Sequence, residues 1–168
     1  MRAGRDERAR VRGAQRGSAS DLEALFRTHW PRAYRAAYLV THDAGAAEDI
    51  AQESFLAAIR VLDRFDRRRP FGPWLHRIVV NRAIDWTRAR KLRGEVELAD
   101  WLPAPETSVA GGETIAALAK LSPEHRAVVV MRYLLEYTPG EIAEALDLPR
   151  GTVNSRLRRG LDALGEEL

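Results

Sequence analysis

Apolar residues recur at three- and four-residue intervals through most of this chain, and nowhere do they alternate with a period of two. Leu22, Leu25, Phe26 and Trp30 set the pattern, and Ala47, Ile50, Ala51, Phe55, Ala58, Leu62 and Phe65 repeat it. Ile142, Ala143 and Leu146, then Val153, Leu157, Leu161 and Leu164, close it. Such spacing lays one apolar stripe along each helix, whereas a half-buried strand needs strict alternation. With β-branched runs short as well, the fold class is all-α. The 168 residues suffice for one domain or for two small ones with marginal cores.

Breaks in the stripe favour two small helical domains joined by a flexible linker. Ser20 and Glu23 have capping-box spacing, and Pro31 is expected to end or kink the helix that follows. Asp43 suits the N-cap of a long helix from Ala44 to Phe65. The loop Asp66-Arg67-Arg68-Arg69-Pro70-Phe71-Gly72 interrupts, and Pro73 fits the first turn of a helix reaching about Lys91. Residues 94–113 hold five acids, Pro103, Pro105, Gly111 and Gly112 and no Lys or Arg, which reads as an acidic linker, with Trp101-Leu102 able to dock on a neighbour. Beyond it, Ile115–Leu121 forms a short helix and Ser122-Pro123-Glu124 starts another. Thr138-Pro139-Gly140-Glu141 opens a third with both a capping box and a proline at the first helical position. A last helix runs from Arg150 to about Leu164. Residues 1–19, rich in Arg, Gly, Ala and Ser, are expected to be a disordered basic tail, because almost nothing apolar offsets their ordering entropy.

The charge is distributed unevenly. The 27 Lys and Arg against 24 Asp and Glu leave a net +3, yet residues 66–93 alone carry +7 and residues 41–53 carry −4. No cysteine is present, which removes disulfides, thiol catalysis and thiolate zinc sites together. His29, His42, His76 and His125 are scattered, no Glu-x-x-His pairing accompanies the carboxylates, and no nucleophile set or phosphate loop is found. No cofactor, metal or enzymatic activity is therefore expected. Without an apolar run of about 18 residues, or an apolar stretch behind the Arg-rich start, the protein is expected in the cytoplasm with no membrane insertion.

Two short helices across Asp147-Leu148-Pro149, the second rich in bases, describe a helix-turn-helix. In the second helix Val153, Leu157, Leu161 and Leu164 form the expected buried face. Thr152, Ser155, Arg158 and Arg159 lie opposite, with Asn154 and Arg156 on the flanks. Arg can pair bidentately with guanine and Asn with adenine, so this face carries the donors a major-groove reader requires. The +7 segment interleaves bases with Phe71, Trp74 and Trp86. These rings could stack on splayed bases, or they could be core anchors. Asp43, Glu48, Asp49 and Glu53 form an acidic patch, either a solvated helix face or a dock for a basic partner.

The order of these parts resembles bacterial sigma factors. Asp49-Ile50-Ala51-Gln52-Glu53-Ser54-Phe55, Asp63-Arg64-Phe65, Trp74-Leu75-His76-Arg77-Ile78 and Asn81-Arg82-Ala83-Ile84-Asp85 are similar to region 2. Leu121-Ser122-Pro123-Glu124, Glu141-Ile142-Ala143 and Gly151-Thr152-Val153-Asn154-Ser155-Arg156-Leu157 resemble region 4. The short linker is similar to that of the extracytoplasmic-function subfamily. The resemblance implies a region 2 domain at 20–93, a linker at 94–112 and a region 4 domain at 113–168. It implies that Asp49, Gln52 and Glu53 meet the β′ clamp helices of core RNA polymerase. It implies a minus-ten element set of Arg68, Arg69, Phe71, Trp74, Arg77, Asn81 and Arg82, with Asn81 near a flipped-out base. Thr152, Asn154, Ser155, Arg156, Arg158 and Arg159 would face the minus-thirty-five element, and region 4 would meet the β flap. Promoter DNA and an anti-sigma factor are the further implied partners of a chain that is a monomer when free, and the polymerase supplies the catalysis and its magnesium. Rival readings are a conventional helix-turn-helix regulator and a sigma mimic that sequesters an anti-sigma protein.

Overall fold

The computed structural model describes residues 2–94 and 112–167, and the linker expectation, with Trp101-Leu102, lies outside them. Every regular element among the described residues is helical: α1 Arg2–Gln15, α2 Ala19–Thr41, α3 Ala44–Arg60, α4 Phe71–Leu92, α5 Gly112–Lys120, α6 Pro123–Tyr133, α7 Pro139–Leu146 and α8 Arg150–Glu167. A 3-10 turn at Leu62–Arg64 follows α3. The all-α expectation therefore holds, with local differences that have physical causes.

The largest difference is the N-terminus, where the expected disordered tail is instead the helix α1. Composition underweighted what one side of the helix can reach. Val11 is only 2% exposed against the rest of the core. Gln15 Nε2 donates to the carbonyls of Leu62 and Phe65 at 2.8 and 3.1 Å. Glu7 Oε2 accepts from the Phe71 amide at 3.3 Å. Tertiary contacts thus supply what the segment lacks alone. Gly17 ends α1 at φ 90°, and the Ser18 amide reaches back to the Gly13 carbonyl at 3.0 Å. A left-handed C-terminal residue with that return bond is a helix-stop geometry that favours glycine. Ser18, rather than Ser20, then caps α2 by accepting from the Asp21 amide.

Pro31 does not break α2, which runs unbroken through it. Proline leaves the carbonyl four residues earlier without its donor, and here Arg27 and Pro31 are both exposed, so that carbonyl faces water. Asp43 caps α3 as expected, accepting from the Ala46 amide at 2.8 Å. The expected continuation to Phe65 tightens into the 3-10 turn, which brings Leu62 and Phe65 both into the core.

In the second half Ser122 caps α6 and Thr138 caps α7 through a complete capping box with Glu141. Asp147 ends α7 in the left-handed region at φ 53°, with the Leu148 amide returning to the Ala143 carbonyl at 2.9 Å. That turn lets α8 leave at the angle a helix-turn-helix needs. Leu161, expected in the buried face of α8, is 41% exposed. Gly160 takes its place: a Cβ there would lie 2.9 Å from Val129 Cγ2. The missing side chain lets α8 approach α6, and the seam runs Val153, Leu157, Gly160 and Leu164.

The two halves pack on each other, α6 and α7 lying against α2 and α4. Arg126 Nη1 donates to the Val40 carbonyl at 2.6 Å and the Tyr137 hydroxyl to the Pro73 carbonyl at 2.8 Å. In the other direction Arg32 donates to the Leu134 carbonyl at 2.8 Å and Asn81 to the Ala145 carbonyl at 3.1 Å. One continuous apolar core spans both halves.

Candidate nucleic-acid interface

Three surfaces carry the residues singled out from the sequence. The first is the outer face of α3. Asp49, Gln52 and Glu53 are exposed there, with Glu53 meeting Arg82 at 3.2 Å and Gln52 donating to Glu48 at 3.4 Å. Asp43 belongs elsewhere, since it caps α3 and pairs with Arg90 at 3.1 Å. Sequence reasoning missed the apolar part of this face. Leu56 and Ile59, 53% and 40% exposed, continue the row from Asp49, Gln52 and Glu53 at helical spacing. The signal was available: both stand off the apolar stripe that Ile50, Ala51, Phe55 and Ala58 bury. Exposed apolar groups beside carboxylates suit a protein partner better than a solvated face does.

The second surface is the start of α4 and the loop before it. Arg68 and Arg69 are exposed, and Arg68 folds back on Asp66 with a 3.0 Å contact that holds the Asp66 carboxyl below its usual range. Trp74 is half-buried against Phe65, their ring centroids 4.5 Å apart. Phe71 requires a correction. It is 3% exposed, packed by Phe65, Trp74 and His29, and in this arrangement is a core anchor with no face for a base. Trp86 is likewise held against the core, with the Arg90 guanidinium 5.1 Å over its ring. Arg82, expected with the minus-ten set, points instead to Glu53 on the α3 face.

Trp74, Arg77 and Asn81 share one side of α4, and that side faces α7. A cleft of about 340 Å³ lies between them, lined by Arg69, Pro70, Pro73, Trp74 and Arg77 on one wall. Tyr137, Glu141, Glu144 and Ala145 form the other. Arginines thus confront carboxylates across it, and the Asn81 amide is already engaged by the Ala145 carbonyl.

The third surface is α8. Asn154, Arg158 and Arg159 are exposed, while Thr152, Ser155 and Arg156 are half-buried. Thr152, Ser155, Arg156 and Arg159 line an open groove of about 510 Å³ whose other wall includes Arg88, Glu124 and His125. The groove is polar and basic, as expected for a phosphate- and base-reading surface.

Beneath the second surface lies a histidine pair. Glu7 Oε1 is 2.9 Å from His29 Nε2, and the His29 and His76 rings are 6.4 Å apart. His76 is 4% exposed and neither ring nitrogen has a hydrogen-bond partner. Burial, then His29 and Arg32, push it down to about 4. The folded state therefore holds this ring neutral while the unfolded chain protonates it near 6.5. Stability should fall as pH drops from about 6.5 to about 4 and level off below. The loss is about 3 kcal/mol from this ring alone. Denaturant titrations across that window should give a shallower pH dependence for His76→Gln, by about one proton; an unchanged slope would exclude His76 as its source.

Among the described residues no group of three or more His, Cys, Asp or Glu is placed to hold a metal ion. No described helix is long and apolar enough to cross a membrane.

Comparison with known proteins agrees with this geometry. The family model for sigma-70 region 2 matches residues 25–93, and that for sigma-70 region 4 matches residues 112–164. The extracytoplasmic-function RNA polymerase sigma factor SigL of Mycobacterium tuberculosis is 36% identical, the alignment covering 93% of each chain. SigW of Bacillus subtilis is 32% identical over 95% of each chain. Among solved structures, CnrH in complex with the cytosolic domain of CnrY matches with a TM-score of 0.71 and 26% identity over 96% of each chain. Bartonella quintana RpoE, solved with the anti-sigma factor NepR, shares the fold at a TM-score of 0.75 and 21% identity, over 89% of this chain and 97% of that one. Two sigma models in the order of the two helical halves, with full-length relatives in the same subfamily, identify the chain as a member of the extracytoplasmic-function sigma factors of bacterial RNA polymerase.

Proposed function

We propose that this sigma factor works through the three surfaces separately. The α3 row of Asp49, Gln52, Glu53, Leu56 and Ile59 docks on the β′ clamp helices of core polymerase. The Arg69, Trp74, Arg77 and Asn81 side of α4 takes the minus-ten element, and the exposed side of α8 takes the minus-thirty-five element. The observation that carries the reading is the separation of an acidic, partly apolar face on α3 from basic faces on α4 and α8. Residues 20–93 then serve polymerase docking and promoter melting, and residues 113–168 upstream anchoring. The protein supplies no catalytic group and acts in the cytoplasm, where the polymerase is.

The packed halves describe a resting arrangement. Glu141 and Glu144 stand opposite Arg69 and Arg77, and Asn81 is occupied, so α7 sits where a promoter strand has to enter. Polymerase and DNA must therefore compete α7 away. A protein partner that holds the halves together fits the same logic, and the similar CnrH was solved with the cytosolic domain of CnrY bound.

Run-off transcription on genomic fragments, with core polymerase alone and with this protein added, tests the reading. Discrete promoter-dependent transcripts are expected only in the second case. Absence of such transcripts together with absence of core binding would overturn it.

A further inference from the structure

Arg10 of α1 donates to Thr28 Oγ1 on α2 at 3.4 Å, but Arg5, Arg8 and Arg12 do not hold the helix in place. Glu7, Val11 and Gln15 do that, and Arg5, Arg8 and Arg12 are exposed and form no ion pair among the described residues. At 3.6 residues per turn these three fall within about 60° of one another, on the side turned away from Glu7, Val11 and Ala14. They span about 10 Å of helix, which is on the order of three phosphate steps along a DNA strand.

The position of this ridge is fixed by its anchors. Gln15 bonds the Leu62 and Phe65 carbonyls, and Glu7 bonds the Phe71 amide. The middle and the C-terminal end of α1 are thus tied to the backbone that brackets the basic loop. Arg12 and Arg8 stand three and seven residues before Gln15, so they lie along the helix edge that the loop meets. Arg67, Arg68 and Arg69 continue the exposed positive charge from there. A solvated face of this kind would need no register with the loop, yet three hydrogen bonds set one.

We propose that the Arg5, Arg8 and Arg12 ridge of α1 is an additional DNA-contacting surface, which binds the sugar-phosphate backbone flanking the minus-ten element. Two arguments favour DNA over a protein occupant: the ridge is continuous with the minus-ten surface, and it offers positive charge with no apolar component, unlike the α3 face. The ridge makes no base-specific contact, so it adds affinity without altering promoter choice. The inference rests on the sigma reading above and deepens it.

The test uses holoenzyme assembled from core polymerase and the full chain, with fluorescence anisotropy on a promoter fragment between about 50 and 200 mM salt. Replacing Arg5, Arg8 and Arg12 with glutamine keeps helix-forming side chains and removes the charge. The dependence of log affinity on log salt should become shallower by about 2.7, so that the wild-type advantage shrinks about 40-fold over that range. The matching lysine triple should retain the wild-type slope. An unchanged slope for the glutamine triple overturns the proposal, as does a loss confined to core binding, which would assign the ridge to the polymerase. If wild-type holoenzyme itself fails to bind any promoter, the sigma reading has failed instead, so the two failures are distinct.

Discussion

Replacing Arg126 with alanine should lower the unfolding free energy by about 3–5 kcal/mol, the range expected when a buried, fully hydrogen-bonded charged group is removed. Arg126 is 7% exposed, and no carboxylate among the described residues forms an ion pair with it. It donates from Nε to the Leu118 carbonyl at 2.9 Å and from Nη2 to those of Ala119 and Leu121, each at 2.8 Å. Its Nη1 reaches Val40. Leu118 and Ala119 lie in the last turn of α5 and Val40 in the last turn of α2, where carbonyls have no intrahelical partner. One cation therefore closes two helix ends at once, and both helix dipoles favour it there. Burial holds even this guanidinium down to about 10. Alanine would take a donor from four carbonyls, of which Leu118 alone keeps a second, the Leu121 amide at 3.1 Å. Urea unfolding checks the magnitude, and a second readout checks the geometry. His42 is pushed down to about 4, first by burial and then by Arg126, so its titration should move up in the variant. A stability loss under 1 kcal/mol would show that water replaces the guanidinium at no great cost.

The second large effect concerns polymerase binding. Glu53→Lys combined with Gln52→Ala should weaken affinity for core polymerase by about 3 kcal/mol, more than 100-fold, because a docking carboxylate becomes a like charge facing a basic partner. The fold should survive. The Glu53 side chain is 64% exposed and its bridge to Arg82 is a surface pair, worth about 0–1 kcal/mol. Equilibrium binding to core polymerase, with thermal unfolding as control, separates the two effects. Unchanged affinity would remove α3 from the interface.

The elements that sequence made legible are those whose signals are local. Thr138-Pro139 with Glu141, Ser122-Pro123 and Asp43 mark helix starts within four residues of chain, and all three caps form. Where partners are distant, pattern reading failed. Val11, Gln15 and Glu7 order α1 only because Leu62, Phe65, Phe71 and His29 stand across from them, some 20 to 60 positions along the chain. Leu161 was misassigned because a glycine, invisible to any count of apolar residues, brings α8 close to Val129. The charges behaved differently. Their clustering marked the α3 and α8 faces in advance, but not that Arg82 turns to Glu53 while Asn81 reaches Ala145. Those choices depend on how whole helices are rotated, which no window of sequence contains.

Four side-chain donors, two from each half, bond main-chain carbonyls across the joint: Arg32 and Asn81 in one direction, Arg126 and Tyr137 in the other. Two ion pairs cross it as well, Arg32 with Glu136 at 3.4 Å and Arg88 with Glu124 at 3.7 Å. For the four carbonyl contacts the receiving side is sequence-blind: Val40, Pro73, Leu134 and Ala145 offer oxygens that other residue types would offer equally well. The chemical identity of these four contacts resides in their donors. Carbonyls also carry no charge that acid could remove. These four contacts have no titrating switch on the receiving side and are insulated from changes of pH. A competitor for those donors therefore acts where acid does not, and the two carboxylate pairs are the part of the joint that acid reaches.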